Sequence, residues 1–318
     1  MSIEKVATAS KLLKQCFNPK DNESIAIITD PQCYEVGEIF YKAGKSLVKD
    51  IILLLFGGVK EHGHEPVNQV AKVMKNADIA LLITNKSLSH TKARKEASIS
   101  GTRIASLPGV TKDMLKDGGL KADYEKVKSL THKVAQIFSG KEKLRVNTEA
   151  GTDFTCSIKK VKIFKDTGIY HQPGEWGNLP AGEVCFAPVP KSSEGRVVVD
   201  GSMLEKVDEP VILEIKGGEV VCVEGGEVAK KVFSVLKKHG KRAFEVGEFG
   251  LGTNDKAKLI GNVLEDEKVV GTAHIALGNN ISFGGDNSVP VHIDGIFKDP
   301  TIEVDGEVIM KRGKFTFE

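Results

Sequence analysis

Three apolar runs set the options for the first part of this chain, residues 24–29 (SIAIIT), 51–56 (IILLLF) and 79–84 (IALLIT), and residues 102–107 (TRIASL) read as a further strand. A strand that is apolar at every position is buried on both faces, the condition of a parallel sheet covered by helices. The intervening segments 34–43, 66–74 and 90–98, with 3–17 before the first run and 121–138 after the last, read as those helices. The pattern predicts a Rossmann-like α/β domain with a parallel sheet over residues 1–140. Neither G-x-G-x-x-G after the first strand nor G-x-x-x-x-G-K-[ST] is present, so a nucleotide-binding reading lacks its phosphate-cradling loop.

The texture changes near residue 141. Residues 144–147 and 154–158 alternate around the turn Glu149-Ala150-Gly151, a hairpin signal. Short β-branched strands follow at 196–199, 211–215 and 219–224, interrupted by one amphipathic helix at 227–239 and resuming to Phe317. Most of the glycines in these turns lie in this half. An α+β, β-rich domain over 141–318 is expected.

Composition removes several classes of function. Forty-five basic against 43 acidic residues leave a formal charge of +2, which gives no electrostatic case for nucleic acid or an anionic membrane. The longest apolar run is too short to span a bilayer. Residues 1–17 form a charged amphipathic pattern unlike a signal peptide. The five cysteines are dispersed and never form C-x-x-C, so they read as reduced small residues of a cytoplasmic protein.

Chemistry concentrates between Gly247 and Asp294, where Glu248, Asp266, Glu267, His274, His292 and Asp294 fall. Imidazole nitrogen and carboxylate oxygen are ligands for divalent metals, and a spare carboxylate can move a proton. His292-Ile293-Asp294 places an imidazole and a carboxylate on one face of a strand. His274 stands in the apolar stretch AHIALG, where a satisfied core histidine is the alternative to a ligand. Glu183 opens the apolar stretch EVCFAP and Glu248 has a similar setting in GEFGLG; each is either cation-bound or turned to water. Such mixed ligands suit two divalent ions sharing a carboxylate. The tract Glu61-His62-Gly63-His64-Glu65 reads as a solvated loop, and His-Glu-x-x-His and Gly-x-Ser-x-Gly are absent. His90, His171 and Trp176 are candidates for lining a substrate pocket, with local packing as the alternative. Arg94 and Arg103 are either structural or holders of a substrate carboxylate.

Read in order, NLPAGEV (178–184), Gly247-Glu248, HIALG (274–278) and HID (292–294), with SHTKAR (89–94) and GTR (101–103) before them, resemble the family of aminopeptidases T and S. The resemblance implies a metallo-aminopeptidase acting on small peptides through two divalent ions (zinc, cobalt or manganese). It places Glu183, Glu248, His274, His292 and Asp294 at the ligand positions and Glu267 as general base, and it implies a homodimer. There are departures. The chain is shorter than those peptidases, Asp266-Glu267-Lys268 stands farther from the histidine than the family's acidic stretch, and Asn279-Asn280 replaces a tyrosine. A related, shorter group resembles 2,5-dihydroxypyridine 5,6-dioxygenase, which implies a single Fe(II) on two histidines and an aspartate, here His274, His292 and Asp294. The main expectation is the hydrolase; the ring-cleaving dioxygenase is the alternative.

Overall fold

The computed structural model describes residues 2–317. Its contacts divide the chain into two units, the first running to Lys128 and taking back Asp166–Ala181, the second holding Ser129–Lys165 and everything from Gly182. The sequence reading placed one boundary near residue 140.

In the first unit the apolar runs form a parallel sheet in the order Asp50–Leu55, Ser24–Thr29, Ile79–Ile83, Arg103–Ser106, Trp176–Asn178. The central strands are buried along nearly their whole length. Separate clusters of buried side chains cover the two faces, Leu12, Phe17, Phe40 and Leu81 among one and Val70, Met74, Leu82 and Ile104 among the other. This is the two-sided burial that continuous apolar strands require. The edge strand Asp50–Leu55, expected from its apolar run to be buried too, leaves Ile52 and Leu55 48% and 51% exposed because it has a neighbour on one side only. The fifth strand, Trp176–Asn178, is only three residues long and carries no periodic signal in the sequence. At the point where strand order reverses, ligands of such sheets bind between strand ends. Here Asp30 fills that place itself: it accepts hydrogen bonds from the backbone N–H of Gln32, Cys33 and Asn85 (3.1, 3.0 and 2.6 Å).

The second unit holds one eight-stranded and one seven-stranded sheet. The first is a string of antiparallel pairs that includes the predicted hairpin, Lys143–Asn147 with Asp153–Ser157. The second runs through His292–Lys298, Thr272–Gly278, Val246–Gly252 and Glu183–Phe186 as adjacent antiparallel strands. Both sheets and the helix Glu227–His239 contribute to one apolar core. Phe249 lies at its middle, with ring centroids 6.5 Å from Phe154 and 5.6 Å from Phe186. The fold class read from sequence is the one observed: an α/β unit with a parallel sheet, and a β-rich unit carrying the candidate ligands. Among the described residues no helix is long and apolar enough to cross a membrane.

Candidate metal centre

Four neighbouring strands of the seven-stranded sheet build the site by alternation. Val184, Phe186, Phe249, Leu251, Ala273, Ile275, Leu277, Ile293 and Phe297 all point into the core. Residues one step out of phase therefore share the opposite face. Register lines them up across the strands: Cys185 opposite Gly250 and Gly250 opposite His274, Glu248 opposite Ala276 and Ala276 opposite Asp294, Gly278 opposite His292, Gly252 opposite Glu183. One face is thus hydrocarbon and the other carries carboxylates, imidazoles and a thiol. Small residues stand between them; a Cβ on Gly250 would lie 2.1 Å from His274 Nε2, so only glycine leaves room for the ring. Glu248 reaches this face through an irregularity in pairing. Val246 pairs with Leu277 and Glu248 with Ala276, and Gly247 is the extra residue of a β-bulge.

The side chains converge. His292 Nε2 lies 3.2 Å from Glu248 Oε2 and 3.2 Å from Asp294 Oδ1. His274 Nε2 lies 3.7 Å from Glu248 Oε1 and 3.4 Å from Glu183 Oε2. Donor atoms bonded to one ion at about 2.0–2.2 Å stand roughly 3–3.5 Å apart, so the spacing around His292 is that of ligands on a common centre. Asn279 supplies the orienting contact: its backbone oxygen is 2.8 Å from His292 Nδ1. Nδ1–H donates there and Nε2 is left to face the carboxylates. Phe283 stacks on the same ring at 5.5 Å. Asn279, one of the two residues that depart from the peptidase pattern, thus holds a ligand.

Two groups at the centre were not foreseen in these roles. Lys268 is fully buried, with Nζ 2.6 Å from Glu183 Oε1 and 2.6 Å from Glu267 Oε1. Cys185, read from sequence as an inert small residue, lies with Glu183 and Glu248 close enough for their ligand atoms to share an ion. The signal for Cys185 was its parity with Glu183 on one strand; Lys268 had none beyond adjacency to Glu267. Asp266 turns the other way, accepting hydrogen bonds from the N–H of Ile260 and Gly261 (2.7 and 2.9 Å).

Burial and charge compete here. Burial pushes the Glu248 carboxyl up, but His274 and His292 outweigh it and hold it well below the usual carboxylate range. Burial pushes His274 down, yet Glu248, Glu183 and Glu267 raise it to about 9; burial likewise opposes the charge on His292, yet Asp294 and Glu248 hold it well above the usual imidazole range. At Glu267 burial prevails: with Asp294 and Glu183 nearby the carboxyl is pushed up to about 8 despite Lys268. The Cys185 thiol is raised by burial first, then by Glu248 and Glu183.

These residues fit a divalent cation. Glu183 Oε2 and Glu248 Oε2 are buried without a hydrogen bond, an arrangement that is costly for a carboxylate unless a cation meets it. The contacts from the histidines to these oxygens are close but lack hydrogen-bond geometry. The carboxyl groups of Glu183, Glu248, Glu267 and Asp294 outnumber the one ammonium among them, Lys268, which leaves acidic oxygens to meet a cation.

The pocket candidates belong to the first unit and have partners within it. The His90 ring meets Trp176 edge-on at 6.0 Å, and the Arg94 guanidinium lies 3.6 Å over the Trp176 ring while Nε donates to Ser89 O at 2.6 Å. His171 Nε2 is 2.9 Å from Gln15 O. Arg103 is structural, held by Phe17 O at 2.5 Å and by Glu23 at 2.7 Å.

A fold of this kind with a buried carboxylate–imidazole centre describes a metal-binding enzyme whose fold is shared with a solved dioxygenase and with AmpT. Residues 19–317 match the family model of 2,5-dihydroxypyridine 5,6-dioxygenase (NicX), and the chain belongs to that family. The solved structure of 2,5-dihydroxypyridine dioxygenase from Pseudomonas putida KT2440 superposes with a TM-score of 0.82 at 18% identity, covering 99% of this chain and 97% of that one. Wild-type AmpT from Thermus thermophilus superposes with a TM-score of 0.72 at 16% identity, covering 98% of this chain and 99% of the other. At these identities the likeness is one of fold. No curated protein matches the sequence.

The expectation of a metallo-aminopeptidase is corrected by these findings: family membership points to an oxidoreductase, so hydrolysis and proteolysis are not supported. The pair of zinc, cobalt or manganese ions is corrected with it. Among the described residues the ligand groups are two single-ion clusters, Glu183–Cys185–Glu248 and Glu248–His292–Asp294. The physical reason is Lys268, whose ammonium occupies one oxygen of Glu183, the carboxylate that was counted toward a second ion.

Proposed function

We propose that this protein is a mononuclear non-haem iron dioxygenase that opens the ring of a hydroxylated aromatic heterocycle of the dihydroxypyridine class. The observation that carries the reading is the convergence of His292, Asp294 and Glu248 at donor spacing for one ion, with His274 alongside, in a chain of this family. Two histidines with a carboxylate are the ligand type of ferrous oxygenases. A ferrous ion held there would supply the one-electron chemistry that lets dioxygen react with a closed-shell ring.

The chain's own residues do the rest. His274, His292 and Asp294 would hold the ion, with Glu248 between the imidazoles. Asn279 O keeps His292 in the tautomer that binds. Glu267, pushed up to about 8, exchanges a proton near neutrality and serves to take the proton of a substrate hydroxyl. Lys268 bridges Glu183 and Glu267, holding together two carboxyl groups whose charges would otherwise repel.

The test loads the protein with ferrous iron without oxygen, then adds 2,5-dihydroxypyridine and 18O2. The expected result is loss of the ring's ultraviolet absorption, one dioxygen consumed per ring and both labelled atoms in the product. Iron-loaded protein that consumes no dioxygen with this substrate, or a product with one oxygen from water, overturns the reading.

A further inference from the structure

Of the five cysteines in the chain, Cys185 alone shares a ligand cluster with carboxylates among the described residues. Its sulfur and one oxygen each of Glu183 and Glu248 all lie within 4.8 Å of one another. Both glutamates are at least nine-tenths buried and each has an oxygen, Oε2, that is sequestered from water with no hydrogen bond. Cys185 and His274 flank Gly250 in register, so no side chain separates the thiol from the imidazole. The second cluster, Glu248–His292–Asp294, shares Glu248 with the first.

We propose that Cys185, Glu183 and Glu248 form an alternative seat for a thiophilic divalent cation such as Zn2+ or Cd2+, which competes with occupation of the His292–Asp294 seat. Binding converts the Cys185 thiol to a metal thiolate and releases its proton to solvent. No electron is transferred. A soft thiolate favours zinc-like ions, whereas imidazole and carboxylate alone suit ferrous or manganous ions. The two seats compete because each draws on Glu248, and because Lys268 stays fixed on Glu183 Oε1 at 2.6 Å, so a second dication would leave an excess of buried positive charge. The consequence is a site that a thiophilic ion disables by drawing Glu248 toward Cys185 and away from His292.

The inference stands on metal ligation and needs no turnover, so it survives or falls independently of the dioxygenase reading. The test uses metal-free full-length protein carrying Cys222→Ser, because Cys222 is the one cysteine that is not buried. Titration with Cd2+ is expected to give one ion per chain and a thiolate-to-cadmium charge-transfer band in the ultraviolet. Adding Cys185→Ser is expected to abolish the band and weaken Cd2+ binding by roughly tenfold or more, since loss of even a group that only supports a ligand costs about that much. Mn2+ affinity, read by competition, is expected to stay within about threefold of its starting value. A 113Cd resonance of the Cys222→Ser protein, in the range of mixed sulfur and oxygen ligands, gives the same answer should the double variant fail to fold. Absence of the band, its persistence without Cys185, a 113Cd shift typical of oxygen and nitrogen ligands only, or two Cd2+ bound together would each overturn the proposal.

Discussion

Replacing Gly250 with alanine tests the construction of the metal centre with a single methyl group. The new Cβ would lie 2.1 Å from His274 Nε2, 2.3 Å from Cε1 and 3.0 Å from Cδ2, where ordinary contact begins at 3.4 Å. The ring must therefore retreat by about 1.3 Å, the difference between 3.4 and 2.1 Å. It has little room to do so, being 1% exposed with Glu183 and Glu248 against it. Overpacking of this kind costs about 1–3 kcal/mol. It exceeds the few tenths to about 1 kcal/mol that alanine gains over glycine from the unfolded chain. A metal bond of about 2 Å does not survive such a shift, so a ligand is lost or distorted and affinity falls by roughly 10–100-fold. That is about 1.4–2.7 kcal/mol of ligand-linked stability. The assay is a ferrous or manganous titration with thermal melts of metal-free and loaded protein. Metal-free Gly250→Ala is expected to melt a few degrees lower, and the rise on loading to shrink, at about 2–4 °C per kcal/mol for a unit of about 150–250 residues. Gly57→Ala, where a Cβ meets nothing within 4 Å, is the neutral control. Gly250→Ala protein that binds metal within twofold of the parent and melts with it would show that His274 is not held where the metal needs it.

Two further outcomes follow from the buried charges. Lys268→Met removes the cation 2.6 Å from both Glu183 and Glu267 and should cost about 3–5 kcal/mol in urea unfolding of metal-free protein. Adding Glu183→Gln should recover part of that loss, and a cost under about 1 kcal/mol would deny Lys268 its role. His274, raised from 6.5 to about 9, should stabilise the metal-free protein fully below pH 6.5, an effect lost as pH rises through about 9. The same proton must leave before metal binds, so affinity should fall as pH drops below about 9, with proton release measurable by calorimetry in buffers of different ionisation enthalpy. Metal-free stability that is flat between pH 6.5 and 9 would contradict this.

What sequence could read was periodicity and kind. Unbroken apolar runs such as IALLIT announced buried parallel strands, and the spacing of His292 and Asp294 announced a shared face. Glu183, Glu248, His274, His292 and Asp294 were legible as ligand types, whereas Cys185 and Lys268 at the same centre were not. What could not be read was how charges pair across strands. Glu183 looks like a free ligand until Lys268 is seen on it, and the step from five ligand types to two ions failed there. Asp266 and Glu267 are adjacent and alike, yet one closes a turn on Ile260 and Gly261 and the other meets Lys268. Trp176–Asn178 went unread because a three-residue strand has too little pattern to see; its pairing with Arg103–Ser106 is a long-range event.

Gly247 has a consequence for how this protein tolerates change. Val246 and Glu248 are two residues apart, yet one faces the core and the other the metal centre, because the bulge absorbs the odd residue. The stretch before it is already committed elsewhere: Val246 N–H bonds to Gly218 O at 2.9 Å, and Glu219 bridges Glu245. Counting therefore restarts at Gly247. Upstream, between the helix Glu227–His239 and the bulge, a residue can be gained or dropped without inverting the ligands. Downstream, from Glu248 to Gly252, a single insertion exchanges Phe249 and Leu251 with the residues that line the site, so core and centre would be lost together. Length variation among homologous chains should pile up on one side of this glycine and stop at the other.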